Sequence, residues 1–204
     1  YQHWYYTQQR LVDETRHAAD LTALLGEKAE LHFARYRVML NTLARLPVLQ
    51  GDALDADTCR KILGKLSQPA THGVTDDLTL YAADGHPVCS TVPHSPAGVL
   101  PVLSDETSFR EAMQQRHLTF SDLVAGSRTV PAHLLLIQPL FDDTTSGGAH
   151  HALVARLDLT RLDNDLKLPF APAQTNLVLA SRHGVVLSPA HWRGRQIGEH
   201  PLFQ

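Results

Sequence analysis

YQHWYYTQQRLVDETRHAADLTALLGEKAELHFARYRVMLNTLARL, residues 1–46, contains no proline and a single glycine, Gly26. Leu11, Ala18, Leu21, Leu25, Leu31, Tyr36, Val38, Leu40, Leu43 and Leu46 recur mostly at steps of three or four, which makes one stripe of a helix apolar. Pro47 ends it, because proline lacks the donor and crowds the preceding turn. At the α-helical rise such a helix runs roughly 65 Å, about twice what is needed to cross a small domain. That surplus length is typical of coiled coils, repeats and spines that join one compartment to another. The alternative is two shorter helices broken near Gly26 and packed on one core.

Tyr1, His3, Trp4, Tyr5 and Tyr6 crowd the start of this stretch, although only 6% of the chain is aromatic. Trp and Tyr gather at membrane interfaces because the ring prefers the acyl boundary while the N–H or O–H prefers water. A transmembrane helix just before Tyr1 is therefore expected; otherwise the cluster docks on the domain itself.

The chain has 204 residues, 43% of them apolar, as in a folded domain with one good core. No apolar run approaches the length that spans a bilayer. A net charge of -3 and a pI near 6.5 provide no basic face of the kind a polyanion needs, so no nucleic acid partner is expected. The 13 histidines are scattered and show no metal-ligand spacing, so no metal site is expected. Cys59 and Cys89 are too few for a zinc site or a CxxC redox motif; they form one disulfide or remain buried thiols.

After Pro47 a loop leads to a second helix with Asp55 as N-cap and Asp57 in its first turn, where negative charge suits the helix dipole. Cys59, Ile62, Leu63 and Leu66 form its buried side. The period then changes from helical to alternating. Residues 78–82, the turn Ala83-Asp84-Gly85 and residues 87–92 predict a hairpin, since glycine accepts the positive φ such turns require. A proline-rich loop over 93–101 precedes a helix over 104–115, with Ser104 as N-cap and Thr107 three residues on. Strands are predicted at 118–124, 133–141 and 149–157, and Leu134-Leu135-Leu136-Ile137 is apolar on both faces, as a covered central strand would be. Residues 160–166 form a short helix that leaves the sheet. Five antiparallel strands with segregated helices make an α+β module. The tail repeats strand, turn, strand over 176–180, Arg182-His183-Gly184 and 185–188, either as an appendage or as the opening of a second module.

Several strings fall in a recognisable order: Leu80-Tyr81-Ala82-Ala83-Asp84-Gly85 with Val88-Cys89-Ser90, then Ser108-Phe109-Arg110-Glu111-Ala112, then Phe120-Ser121-Asp122. Ile137-Gln138-Pro139-Leu140-Phe141-Asp142-Asp143, the run 153–159 and the closing run 177–187 complete the set. Together, over residues 21–202, they resemble the Cache family, the PAS-like extracytoplasmic sensor domains of bacterial histidine kinases, diguanylate cyclases and chemoreceptors. In double-Cache members the resemblance implies a spine helix over 1–48 and a membrane-distal PAS-like module over 49–160. Residues 161–204 would be a linker helix and the start of a membrane-proximal module. It further implies a periplasmic location, flanking transmembrane helices, a homodimer through the N-terminal helix, and no cofactor. A cysteine in the second helix and one in a Cys-Ser after the first hairpin resemble a pair in relatives that oxidise in the periplasm, which implies a Cys59–Cys89 disulfide.

In such modules a small-molecule ligand lies between the sheet and the helix and loop that cover it. The analogy nominates Tyr81, Ser108, Phe109, Arg110, Phe120, Asp122, His133, Leu135 and Gln138. If Phe109, Phe120 and Leu135 are core residues that fill this space, no ligand fits. Amino-acid-binding Cache modules carry an arginine, one residue and two aromatics where this chain has Glu106-Thr107-Ser108-Phe109. Glu106 would repel an α-carboxylate, which leaves Arg110 as the nearby cation able to replace the missing one. The sequence has no Gly-x-Ser-x-Gly, Walker loop or Rossmann glycines, so an enzyme is not expected. The function read from the chain is ligand sensing through a two-state shift of the long helix to an output such as a diguanylate cyclase or histidine kinase. The alternative is a protein-interaction or dimerisation module without a small ligand.

Overall fold

A computed structural model describes residues 2–50, 55–66, 77–91, 100–126, 131–141, 149–167 and 178–197, and of residues 2–14, Leu66 and Trp192 the backbone only. The side chains of the aromatic cluster, the buried role of Leu66, most of the proline-rich loop and the turn at 142–148 lie outside the described residues, as do residues 168–177 and 198–204.

Helix α1, Gln2–Ala44, runs unbroken through Gly26 for 43 residues. Gly26 is exposed, and a Cβ placed there would meet nothing within 4 Å. Its only effect is the local cost of glycine in a helix, which the packing of its neighbours outweighs. Leu21, Leu25, Ala29, Tyr36, Met39, Leu40 and Leu43 are buried. Leu31 and Val38 do not belong to this stripe, being 57% and 67% exposed. The buried positions keep helical steps, whereas these two fall on the opposite side. Beyond a turn, α2 (Pro47–Gln50) begins at the proline, where a missing N–H costs nothing. In α3 (Ala56–Leu66) the Asp55 carboxylate accepts from the amides of Asp57 and Thr58, both at 3.0 Å, and so caps the helix.

The main sheet is antiparallel. Its strands are β1 (Asp77–Ala82), β2 (Pro87–Ser90), β3 (Thr119–Phe120), β4 (His133–Leu140) and β5 (His151–Asp158), in the order β2-β1-β5-β4-β3. The centre is therefore β5, with β4 between it and the two-residue β3, shorter than the strand expected over 118–124. Parity divides the side chains between two faces. Leu78 and Leu80 of β1, Leu134, Leu136 and Leu140 of β4, and Leu153, Ala155 and Leu157 of β5 pack in one layer with α1. Tyr81, Ile137, Ala152 and Val154 pack on the other side with Leu103 and with Phe109 and Ala112 of α4 (Thr107–Gln115). Cys59 and Cys89 are joined in a disulfide that ties α3 to β2 across 30 residues. In the chain-entropy treatment a loop of that size contributes about 3 to 4 kcal/mol.

Helix α4 starts at Thr107, later than the sequence predicts, and Ser104 is not its cap. The N-cap position is Glu106, without a side-chain capping bond. Ser104 and Asp105 are drawn into a turn closed by Glu106 N donating to Leu103 O at 3.1 Å, while Leu103 N donates to Gly85 O at 2.9 Å. Gly85 has φ +82°, and any Cβ there would collide with the backbone of Leu103 and Ser104. The hairpin turn and the loop before α4 are thus pinned together.

After β5, α5 (Leu159–Leu166) buries Leu159, Leu162 and Leu166 in the same layer as α1. A small sheet of β6 (Leu179–Ala180) and β7 (Val186–Ser188), with a 3₁₀ turn at Ala190–Trp192, follows. Arg193 joins it to α5: the guanidinium donates to Leu187 O at 2.8 Å, to Leu159 O at 2.9 Å and to Asp163 Oδ2 at 2.5 Å.

Where α1 meets α5, His32 is largely buried, its Nδ1 3.3 Å from Asp165 Oδ2 and its Nε2 without a partner among the described residues. Burial holds its pKa below the ordinary 6.5; Asp165 opposes this and Arg35 adds to it. The folded state binds this proton more weakly than the unfolded chain, so the stability that neutral His32 contributes is present above 6.5 and lost as pH falls. Two outcomes are expected. Lowering the pH from about 7.5 to about 5.5 should depress the melting temperature more in the native chain than in His32→Gln; equal slopes would locate the effect elsewhere. In urea titrations Gly26→Ala should gain about 0.5 to 1 kcal/mol. Gly85→Ala should lose more than about 1 kcal/mol, because φ there is positive and the site is closed.

Candidate functional site

On the face of the sheet away from α1 lies a cavity of about 360 Å³. Its floor is set by strand parity: Asp77, Thr79 and Tyr81 from β1, Val154 and Arg156 from β5, His133 and Leu135 from β4. Its roof is the pinned loop, with Leu100, Val102, Leu103, Asp105 and Glu106.

Antiparallel register places Asp77 opposite Arg156, and their side chains form an ion pair, 35% and 32% exposed. The same register places Leu135 opposite Arg156 on the other side. Thr79 and Ser90 share a hydroxyl hydrogen bond of 2.8 Å. His133 Nδ1 lies 3.0 Å from Pro131 O. Glu106 accepts from the Ser108 hydroxyl at 2.7 Å, which fixes the carboxylate at the roof. Tyr81 is only 3% exposed, its ring edge-on to Phe109 with centroids 6.2 Å apart. Its hydroxyl has no hydrogen-bond partner among the described residues, although it borders the cavity. Burial pushes its pKa up to about 12, so it stays a neutral donor and acceptor.

Of the nominated residues, the structure brings Tyr81, His133 and Leu135 together in this cavity. Ser108 stands behind it, holding Glu106. Phe109 is buried beneath its edge without filling it. Arg110 is exposed on the outer side of α4, beside a separate depression with Asp84 and Gln114. Arg110 thus lies outside this cavity, and among the described lining residues the guanidinium is that of Arg156. Phe120 and Asp122 lie across the sheet. Phe120 pairs with Leu136 in β3–β4, which turns it toward α1, where it meets Phe33 edge-on at 5.6 Å. Asp122 is 3.3 Å from His183, and both line a second cavity of about 410 Å³ between α1, β3 and the β6–β7 turn. Gln138 shares the parity of Leu136 and Leu140, faces the α1 layer, and donates to Pro139 O at 3.2 Å.

Asp77, Arg156 and Asp105 were not nominated from the sequence. Arg156 had a local signal, a charge inside the apolar run Ala152-Leu153-Val154-Ala155, but its partner lies 79 residues away. Among the described residues no group of three or more His, Cys, Asp or Glu could hold a metal, and no helix is long and apolar enough to cross a membrane.

No family model matches the chain, and no characterised protein matches it by sequence. Solved structures do match in fold. The ligand-binding domain of the Pseudomonas aeruginosa PAO1 amino acid chemoreceptor PctB, in complex with L-Gln, aligns with TM-score 0.66 at 15% identity, covering 90% of this chain and 72% of that one. The sensor domain of the Vibrio cholerae histidine kinase DctB aligns with TM-score 0.66 at 14% identity, over 93% and 71%. An extracellular ligand-binding receptor from Desulfohalobium retbaense aligns with TM-score 0.65 at 13% identity; 86% of this chain spans only 32% of that protein. The structural neighbours are thus ligand-binding sensor domains of chemoreceptors and histidine kinases, and the architecture is the PAS-like Cache fold.

Because the Asp77–Arg156 pair is about one-third exposed, it should contribute little to folding. Arg156→Met is expected to cost less than about 1 kcal/mol in a urea titration. A loss of 3 kcal/mol or so would mean that the pair holds the sheet together and is not free to serve the cavity.

Proposed function

We propose that the chain is the ligand-sensing region of an extracytoplasmic receptor, with a small molecule bound between the sheet and the 100–106 loop. One observation carries this reading: Tyr81, an almost fully buried residue, lines the cavity, and its hydroxyl has no protein partner among the described residues. The shared fold with ligand-binding sensor domains supports it. Residues 49–160 would be the distal sensing module, 1–48 the spine that carries the shift, and 161–204 the start of a second module. The receptor would sit in the inner membrane with its ectodomain in the periplasm, and a kinase or diguanylate cyclase would be the output. Tyr81 and Leu80 are consecutive, one facing the cavity and the other the α1 layer. A ligand that favours one arrangement of β1 therefore acts on the helix through one thickness of sheet.

A second reading, a dimerisation module, is favoured by Leu31 and Val38, exposed apolar residues seven positions apart on α1, which is coiled-coil spacing. Homodimerisation through this face is compatible with sensing. A thermal-shift screen against organic acids, amines, amino acids and purines separates the two. A ligand at a hundred times its Kd should add about 2.7 kcal/mol of stability, and the shift should vanish in Leu135→Trp, which fills the cavity. If no compound shifts the melting temperature while sedimentation shows a dimer that Val38→Glu dissociates, the module reading replaces the sensing one.

A further inference from the structure

Among the described lining residues the charges of the cavity do not balance. Asp77, Asp105 and Glu106 contribute three carboxylates to its lining, and Arg156 contributes one guanidinium. That guanidinium is already engaged with Asp77 across the β1–β5 register. Among the described lining residues no lysine occurs. The roof therefore presents Asp105 and Glu106 as carboxylates in excess, and the Ser108 hydroxyl holds Glu106 in place. The apolar part of the lining includes Leu103, Leu135, Val154 and the Tyr81 ring. Tyr81, a residue only 3% exposed, lines the same space with a hydroxyl unpartnered among the described residues, a separate sign that the space takes a guest with a polar atom.

We infer that the cavity takes a small organic cation, an amine whose charged nitrogen lies against Asp105 and Glu106 while its carbon skeleton lies over Leu135 and Val154 and a polar atom meets the Tyr81 hydroxyl. An ammonium N–H donates to carboxylate oxygens, and its charge offsets an acidic rim that a carboxylate ligand would worsen. A carboxylate bound at Arg156 would lie beside Asp77, which already offsets that charge, and so would add a second anion there. Leu103, Leu135 and Val154 supply apolar lining, against which a skeleton of methylenes packs better than a sugar. This assignment rests on the sensing reading and narrows it.

The test is calorimetric titration of the folded domain with three probe sets: amines (putrescine, ethanolamine, choline), carboxylates (succinate, butyrate) and neutral alcohols of similar size. Each set is repeated with Glu106→Gln, Asp105→Asn, Glu106→Lys and Leu135→Trp, after circular dichroism has shown each variant folded. Amine binding that weakens at least tenfold in Glu106→Gln or Asp105→Asn, and disappears in Leu135→Trp, supports the inference. Should Leu135→Trp fail to fold, loss of amine binding in Glu106→Lys carries the same weight, since that residue lies at the roof. Carboxylate binding that disappears in Leu135→Trp, with no amine binding, overturns the cation assignment and leaves the sensing reading standing. Amine binding untouched by all four substitutions places the amine elsewhere and also overturns it. Silence of all three probe sets overturns it as well, and if the wider screen is silent too, the sensing reading falls with it.

Discussion

Leu40 and Leu43 of α1 meet Leu80, Leu136 and Leu153 of the sheet in one dry layer, each of these five side chains at most 1% exposed. A sheet has two faces, and strand parity assigns every residue to one of them. Once α1 has taken the leucine-rich parity, Asp77, Thr79 and Tyr81 of β1, His133 and Leu135 of β4, and Val154 and Arg156 of β5 must face the other way. A one-residue slip of β4 or β5 would drive His133 or Arg156 into the leucine layer, where an unpaired polar group costs several kcal/mol. The polar residues therefore hold the register as firmly as the leucines do.

The second face is covered unevenly, and the cavity is the consequence. Phe109 and Ala112 of α4 close one end with apolar packing. Toward the other end the cover is a loop, tethered to the β1–β2 turn by the Leu103–Gly85 hydrogen bond and by the close approach that only glycine permits at position 85. A loop cannot deliver a continuous apolar stripe as a helix does, because its own backbone polar groups must be satisfied. The space beneath it is lined by side chains of mixed character and remains open.

Arg193 and His32 are among the residues that connect this layered unit to its surroundings. The Arg193 guanidinium, with side-chain exposure of 11%, is held by two backbone carbonyls and by Asp163, and so locks the β6–β7 sheet onto α5. His32 sits between α1 and α5, near Asp165. Both lie on the α1 side of the sheet, so movement of α5 relative to α1 would be felt by the second hairpin directly. The cavity lies across the sheet, one residue of β1 away.

What the sequence determined by itself was local. The apolar period of three to four in α1, the Asp84-Gly85 turn, the Asp55 cap and the α+β order of elements are set within a few residues, and the structure has them. Other expectations were also local and failed because tertiary contacts outweighed them. Ser104 looks like a cap, yet the docking of Leu103 on Gly85 draws it into a turn; Leu31 and Val38 look like core, yet the sheet contacts another side of the helix. The candidate site was legible in part. Tyr81, His133 and Leu135 were recognisable as one set through the family resemblance, but Phe120 and Gln138 were not separable from them until pairing with β4 and its parity assigned each a face. Asp77 and Arg156 meet only because β1 and β5 are neighbours in one register, 79 residues apart along the chain. Strand order and register are settled by the sum of many weak long-range contacts, which no short window of sequence contains, and that sum decided where the charges of the cavity lie.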